Sequence, residues 1–338
     1  MPASFTLREM LPSDGPALSQ LMENDPETPG MSMTTRFLVD PYQAWKALKP
    51  DMIGVVAEAP GVDGLIGAAT VSFENTQFDG RVLPGASLEN LKVHHEYRGK
   101  GIGAALALWR VNKARERFGD ECVVSTGTNP QNTASLSTMK KWCKQFVGPI
   151  KVSPRGPRFD QPEAPSGITF RAIEAGDMPK VVEKANRFYA DYNLYAPLST
   201  EKLNILLQTV YHYRVASDSS GKIVAGALFS TRGQLMVDEF RNVPPEMEGR
   251  VPPDHRLRLL EMGYLWFDQP PVAQGLWEHI AWEFRDRANA FSMNYDKRSP
   301  VNDAFPTPFM PMQLEITVAV SGPTLMDDQK FISGFLRG

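Results

Sequence analysis

Residues 95–106 read H-E-Y-R-G-K-G-I-G-A-A-L. Gly99, Gly101 and Gly103 stand at alternate positions between a charged tetrapeptide and an alanine-rich apolar run. A helix N-terminus presents unpaired amide hydrogens and the positive end of the helix dipole. Glycines there let the chain turn with unusual φ and let an anion reach those amides with no Cβ in the way. Arg98 and Lys100 add positive charge, so the local chemistry favours a phosphate or diphosphate. The Walker pattern fails, because His94 holds its first glycine position and Gly101 its Ser/Thr position. The dinucleotide pattern G-x-G-x-x-G/A is met by Gly99, Gly101 and Ala104, but Asp120 and Glu121 precede the next strand, the wrong end for a ribose. That disfavours a nicotinamide-dependent oxidoreductase. The glycines also read as no more than a tight strand-to-helix turn.

A candidate base lies just upstream. In S-L-E-N-L-K-V (87–93), alternation puts Ser87, Glu89, Leu91 and Val93 on one face. A carboxylate between small and apolar neighbours on a central strand has a raised pKa, as a base working near neutrality needs. Glu89 is the first candidate and His94 the second. Equally, Glu89 reads as a residue on an exposed strand face, and His94 and His95 as solvent-facing loop residues.

Arg98, Gly101 and Gly103 also satisfy [RQ]-x-x-G-x-[GA]. With its flanking strand and helix, L-K-V-H-H-E-Y-R-G-K-G-I-G-A-A-L closely resembles the signature of the GNAT acyltransferase superfamily, L-x-V-x-P-x-x-R-G-x-G-I-G, with His95 for the usual proline. The resemblance is specific over residues 52–146. It implies an acetyl-CoA-dependent N-acetyltransferase in which a small primary amine attacks the thioester directly. It implies that amides across Arg98, Gly99, Lys100, Gly101, Ile102, Gly103 and Ala104 hold the diphosphate of acetyl-coenzyme A. The N–H of Val93, and next that of Leu91, would meet the thioester carbonyl, a role that needs no particular side chain. The family's later helix, N-x-x-[AS]-x-x-[LF]-Y-x-K-x-G-F, stands here as N-T-A-S-L-S-T-M-K-K-W-C-K-Q-F (132–146). Asn132, Ser135 and Lys141 fit, and Asn132 and Ser135 are carried over as coenzyme contacts, although Asn132 also reads as a plain helix cap. Met139 holds the position of the tyrosine that would protonate the thiolate, and a thioether cannot donate. Tyr97, Ser137 and Thr138 are the substitutes, Tyr97 foremost. Water is another, since thiols are fairly acidic, and lost activity the last. A non-catalytic acyl-CoA-binding protein on the same fold is therefore the alternative function.

Positioning these groups requires a strand ahead of the glycines and a helix behind them. The first half reads as strand 5–9, helix 14–24, a loop, helix 41–48, strands 52–58, 65–75 and 86–93, helix 102–117, strand 121–126, helix 132–143 and strand 146–152. That is mixed α/β, an antiparallel meander running into a central β-α-β unit. Residues 150–167 carry four prolines and two glycines and break any period. Beyond them the pattern returns. F-T-L-R-E-M-L-P-S-D (5–14) resembles I-T-F-R-A-I-E-A-G-D (168–177), residues 56–68 resemble 215–227, and N-P-Q-N-T-A (129–134) resembles S-P-V-N-D-A (299–304). A period near 160 is too long for a solenoid and points to a duplicated domain. The expected division is 1–152, an acyl-CoA-binding domain; 153–167, a linker; and 168–338, a second GNAT-like domain. Matching Leu91 to Leu265 sets V-A-Q-G-L-W (272–277) against R-G-K-G-I-G, with Val272 for Arg98 and Trp277 for Gly103. The second domain is thus expected to be degenerate, with an indole where a diphosphate would lie.

The chain has 338 residues, 42% hydrophobic and 22% charged, with net charge −3. That balance argues against a nucleic-acid or membrane-surface binder. Cys122 and Cys143, each in apolar surroundings, read as reduced thiols and cannot build a cysteine metal site. With no signal-peptide core and no spanning apolar run, the default expectation is a soluble cytoplasmic protein, monomer or homodimer. For the acceptor, the loop 23–37 offers Glu23, Asp25 and Glu27 to attract a cationic amine, or only a solvated face, and Met31 and Met33 as adaptable surface.

Overall fold

The computed structural model of the protein describes residues 4–24, 31–305 and 314–334. The first half runs β1 (Thr6–Glu9), α1 (Gly15–Asn24), β2 (Ser32–Phe37), α2 (Pro41–Leu48), β3 (Met52–Glu58), β4 (Gly67–Phe78), β5 (Arg81–Val93), α3 (Ile102–Phe118), β6 (Val123–Thr128), α4 (Thr133–Met139) and β7 (Gln145–Arg155). The second runs β8 (Thr169–Ala172), α5 (Met178–Phe188), β9 (Tyr192–Asn193), α6 (Thr200–Leu207), β10 (Tyr211–Ser217), β11 (Ile223–Ser230), β12 (Met236–Arg241), β13 (Arg256–Leu257), β14 (Leu259–Phe267), α7 (Pro270–Glu283), β15 (Ala290–Asp296), α8 (Pro300–Ala304), β16 (Leu314–Ser321) and β17 (Phe331–Ile332). The two openings that match in sequence also match in bonding. Arg8 forks onto Asp14 at 2.8 Å through both terminal nitrogens, and Arg171 forks onto Asp177. Each aspartate also accepts the amide three residues back, from Leu11 and from Glu174, and so fixes the strand-to-helix turn.

Among the described residues the main sheet has order β1-β3-β4-β5-β6-β16-β7-β15-β14-β11-β10-β8. The order is symmetric about the β16–β7 pair: β3-β4-β5-β6 on one side answers β10-β11-β14-β15 on the other. The last long strand of each half is exchanged. β16 pairs antiparallel with β6, and β7 pairs antiparallel with β15. Because β7 continues to Arg155, opposite Phe291, residues 153–155 of the expected linker are strand. The exchange also joins the cores. On one sheet face Trp45 and Leu48 of the first half share a cluster with Tyr195, Tyr211 and Trp266 of the second. α3 covers the opposite face of its own half, over Val71, Ala86, Leu88 and Val124.

The segment 32–37, expected as loop, is strand β2. It pairs with β12, from Met236↔Phe37 to Arg241↔Ser32. Its partner lies some two hundred residues away, out of reach of local pattern. α4 stops at Met139, and residues 140–143 form turns rather than the helix expected to 143. No helix among the described residues is long and apolar enough to cross a membrane.

Strand exchange makes β16 part of the first half's core: Ile316, Val318, Ala319 and Val320 are each at most 3% exposed. A chain ending at residue 167 would leave β6 and β7 as two open apolar edges. It is expected to aggregate and to show no cooperative thermal transition by circular dichroism. A soluble fragment that melts cooperatively would refute this account of the core.

Candidate functional site

The glycine turn follows β5 directly. Gly99 and Gly101 have φ of 76° and 87°, and a Cβ at either would meet nothing within 4 Å. Backbone conformation, not crowding, therefore selects glycine there. Gly103 is helical, and a Cβ there would lie 3.7–3.8 Å from Val93, Leu91 and Thr138, which is ordinary contact. Gly101 is the N-cap of α3 and no side chain caps the helix. The first amide bonded back into it is that of Ala105, to Gly101 O at 3.1 Å. Among the described residues the amides of Gly99, Lys100, Gly101, Ile102, Gly103 and Ala104 have no hydrogen-bond partner. Six consecutive bare N–H groups at a helix start form an anion cradle. Lys100 lies over the Tyr97 ring at 4.6 Å, and Arg98 Nε donates to Val93 O at 3.1 Å. These residues fit a diphosphate.

A gap opens beside the cradle. β5 pairs in parallel with β6 only from Gly85 to Ser87, although it runs on to Val93. Thr126 Oγ1 donates to Leu88 O at 2.6 Å, and no ladder bond joins the strands beyond it. His94 N–H donates to Ile66 O, on the β4 side. By alternation the N–H groups of Leu91 and Val93 face the gap.

One sequence expectation fails here. Glu89 does not share a face with Leu91 and Val93. Thr70 pairs with Glu89 but Ala68 pairs with Lys92, so β5 carries one residue more than β4. The extra residue is a bulge at Asn90, whose φ is 54° and whose side-chain Nδ2 donates to Thr70 Oγ1. Ahead of it Leu88 packs beneath α3; after it Val93 packs there too, beside Ile102 and Leu106. Glu89 instead faces α2. The bulge thus sets a carboxylate on one side of the sheet and the gap-facing amides beside the cradle on the other.

Arg110 of α3 holds the bulge. Its guanidinium is buried and donates to Thr70 O and to Glu89 O, both at 3.0 Å, and to Leu106 O at 3.2 Å. Arg110→Met would strand those strand carbonyls without donors, at about 1–3 kcal/mol for each buried group. A fall of several degrees in Tm together with loss of turnover is expected. An unchanged melting curve would show that the bulge holds itself.

Glu89 is enclosed. Its side chain is 15% exposed, and its Oε2 is buried with no hydrogen-bond partner among the described residues. Burial pushes its pKa above the usual carboxylate value, the nearby Glu74 carboxylate adds to the rise, and Lys49, 3.5 Å away, opposes it without cancelling it. Burial works against the Lys49 ammonium, but the fields of Glu89 and Glu74 outweigh it and hold it charged. Burial likewise opposes the Glu74 carboxylate, and Lys202 of the second half, at 2.8 Å, with Lys49 brings its pKa below the usual range.

The other expected residues distribute as follows. Asn132 is the N-cap of α4, its Oδ1 accepting from Ser135 N at 3.0 Å. Met139 is 5% exposed and packs in the core under α3, so this side chain faces away from the gap. Thr138 borders the gap opposite Gly103. Tyr97 packs on the α3 side with Phe5, Leu7 and Val93, across the sheet from Glu89. His94 stacks on His95 at 4.5 Å. Asp25 and Glu27 lie outside the described residues. Glu23 sits in the last turn of α1, and Met33 is an exposed residue of β2. Lys49, Glu74 and Arg110 escaped sequence reasoning, though an arginine inside the apolar stripe Leu106, Ala107, Val111, Ala114 was a legible signal.

The second half shows the same design filled in. Residues 272–277 lie inside α7, not at a turn, so the match to 98–103 does not hold in space. Only Asp268 and Gln269 separate β14 from α7, and Pro270 and Pro271 open that helix with no N–H to offer. The bulge recurs in β14 at Gly263, opposite Leu228 and Phe229. The Tyr189 hydroxyl donates to Leu265 O at 2.9 Å and accepts from Leu265 N at 3.1 Å. The space left is ≈ 10 Å³. Trp277, expected to fill a diphosphate site, is a wholly buried core residue.

Residues 19–144 match the acetyltransferase (GNAT) family. No curated protein sequence matches the chain. Among solved structures, the N-myristoyltransferase of Saccharomyces cerevisiae with bound myristoyl-CoA is similar over 99% of this chain and 90% of its own, with TM-score 0.68 and 11% identity. A GCN5-related N-acetyltransferase from Sphaerobacter thermophilus is similar over 96% of this chain and 98% of its own, with TM-score 0.61 and 17% identity. One from Kribbella flavida covers 94% and 71%, with TM-score 0.54 and 13% identity. At these identities the likeness is one of fold, and it spans both halves.

Proposed function

We propose, from the match of residues 19–144 to the acetyltransferase (GNAT) family, a family of acyl-CoA-dependent acyltransferases, that this chain transfers an acetyl group from acetyl-CoA to a small primary amine by direct attack on the thioester. The observation that carries the reading is the run of six amides from Gly99 to Ala104 that have no hydrogen-bond partner among the described residues, with Arg98 just ahead of it and Lys100 within it. When bound there, acetyl-CoA supplies the activated acyl group. Ile102, Gly103 and Ala104 would hold the diphosphate through the first turn of α3, and Asn132 and Ser135, at the start of α4, are proposed as further coenzyme contacts. Leu91 and Val93 direct their N–H groups into the gap and polarise a carbonyl placed there. Glu89 takes the proton of the attacking amine, its raised pKa suiting it to that task. Tyr97 packs against the cluster that Val93 also joins and would supply the proton for the departing thiolate, whereas Thr138 Oγ1 already donates to Ala134 O. The segment 156–167 that follows β7 we propose as the seam of a duplication, and the second half as the structural and acceptor-shaping partner. A cytoplasmic location accords with the two unpaired thiols.

The test is release of free thiol on mixing the full chain with acetyl-CoA and a panel of primary amines. Turnover above background with at least one amine is expected. Calorimetry with coenzyme A separates the failures: no heat would remove the cradle reading, whereas heat without turnover would leave a binding protein.

A further inference from the structure

A cavity of ≈ 290 Å³ lies between the halves, on the Glu89 face of the sheet. Three hydroxyls cross its floor. Ser72 of β4 pairs with Ser87 of β5, which pairs with Ser125 of β6, and all three line the cavity. Ser72 is 3% exposed, and its Oγ has no hydrogen-bond partner among the described residues. Lys49 lies at the side, reaching from the cavity to Glu89. The roof comes from the second half and is mixed: Leu194, Ile205 and Leu206 supply apolar surface, and Ser199, Glu201 and Lys202 add polar groups beside it.

We infer that this cavity receives the acceptor, and that the acceptor is an amphipathic amine whose far end carries hydroxyl or carbonyl groups. The inference rests on the acetyltransferase reading and deepens it. A buried hydroxyl with no partner favours an occupant that can hydrogen-bond to it and disfavours an alkyl chain laid across it. Ser87 and Glu89 are two residues apart on one strand and one face, about 6.8 Å. An occupant with its polar end on the serine row therefore carries its amine to Glu89 when the two groups are about five or six bonds apart. The gap-facing amides of Leu91 and Val93 lie across the bulge, so amine and thioester meet from opposite faces. Nothing in the row suits an acyl tail.

Two six-carbon primary amines provide the test: glucamine, which is hydroxylated along its chain, and n-hexylamine. With acetyl-CoA and the full chain, kcat/KM for glucamine is expected to exceed that for hexylamine by roughly ten-fold or more, because a site built to hydrogen-bond a hydroxyl rejects the analogue lacking it. The Ser72→Ala, Ser125→Ala double variant is expected to lose that preference while keeping its Tm and its KM for acetyl-CoA. Hexylamine preferred by the unaltered protein, or the preference surviving in the variant, would overturn the inference. Should neither amine turn over, absence of calorimetric heat from saturating glucamine added to the coenzyme-loaded protein overturns it too. Decanoyl-CoA binding more than about ten-fold tighter than coenzyme A would assign the cavity to an acyl chain instead. No heat with coenzyme A itself would mark failure of the acetyltransferase reading.

Discussion

Replacing Gly103 by aspartate is expected to leave the protein at least as stable and to abolish its affinity for coenzyme A. The two effects have opposite signs for one reason. Gly103 is the second residue of α3, at the positive end of the helix dipole. An aspartate there gains about 0.3–1 kcal/mol from the dipole and relieves part of the glycine penalty in a helix. Its Cβ finds room, since the nearest atoms would be 3.7 and 3.8 Å away. Tm should therefore hold or rise by about 1–3 °C. The same carboxylate fills the space before the bare amides and repels a diphosphate, so Kd for coenzyme A should rise by about a hundred-fold or more, some 2.7 kcal/mol. Gly101→Ala is the converse control. Its φ of 87° makes any side chain strained, so stability should fall by about 1–2 kcal/mol. Urea unfolding and calorimetry on both proteins read the two quantities separately. Coenzyme binding by the aspartate variant with unaltered affinity would show that the diphosphate lies elsewhere.

What sequence reasoning found and missed around this turn follows from the range of the forces involved. The glycine cradle was legible because its causes are local: three glycines, two cations and an apolar helix within a dozen residues. Most elements of the first half were legible for the same reason. β2 was not, because the strand it pairs with lies in the second half, and neither was the exchange of β7 and β16. The duplication was seen, but strict alternation put Glu89 on the face of Val93. One bulged residue, Asn90, reverses that relation, and a period-two pattern cannot detect an extra residue. The second half was judged deficient for a substitution at 272–277. The structure attributes the deficiency to a deleted turn, two opening prolines and the Tyr189 hydroxyl. The sequence match shifted helix against turn because it counted residues where the structure had removed them.

The bulge carries the second large effect. Glu89→Gln is expected to lower kcat by about a hundred- to a thousand-fold, within the range a positioned general base supplies, while Kd for coenzyme A stays within about two-fold. The cradle and the carboxylate stand on opposite faces of β5, which is why the two constants should part. The pH profile gives the stricter test. Burial raises the Glu89 pKa, with Glu74 adding to the rise against the pull of Lys49. The base is therefore protonated and idle below that elevated value, and kcat/KM should climb as pH rises through it. In the glutamine variant nothing titrates at that position, so this acidic limb should vanish and leave only the ionisation of the amine. Lys49→Met tests the origin of the shift. Without the ammonium the opposing pull disappears, and the limb should move to still higher pH. A limb that stays in place in both variants would assign the base to another residue, with His94 next in line, since its Nδ1 is buried without a hydrogen-bond partner among the described residues.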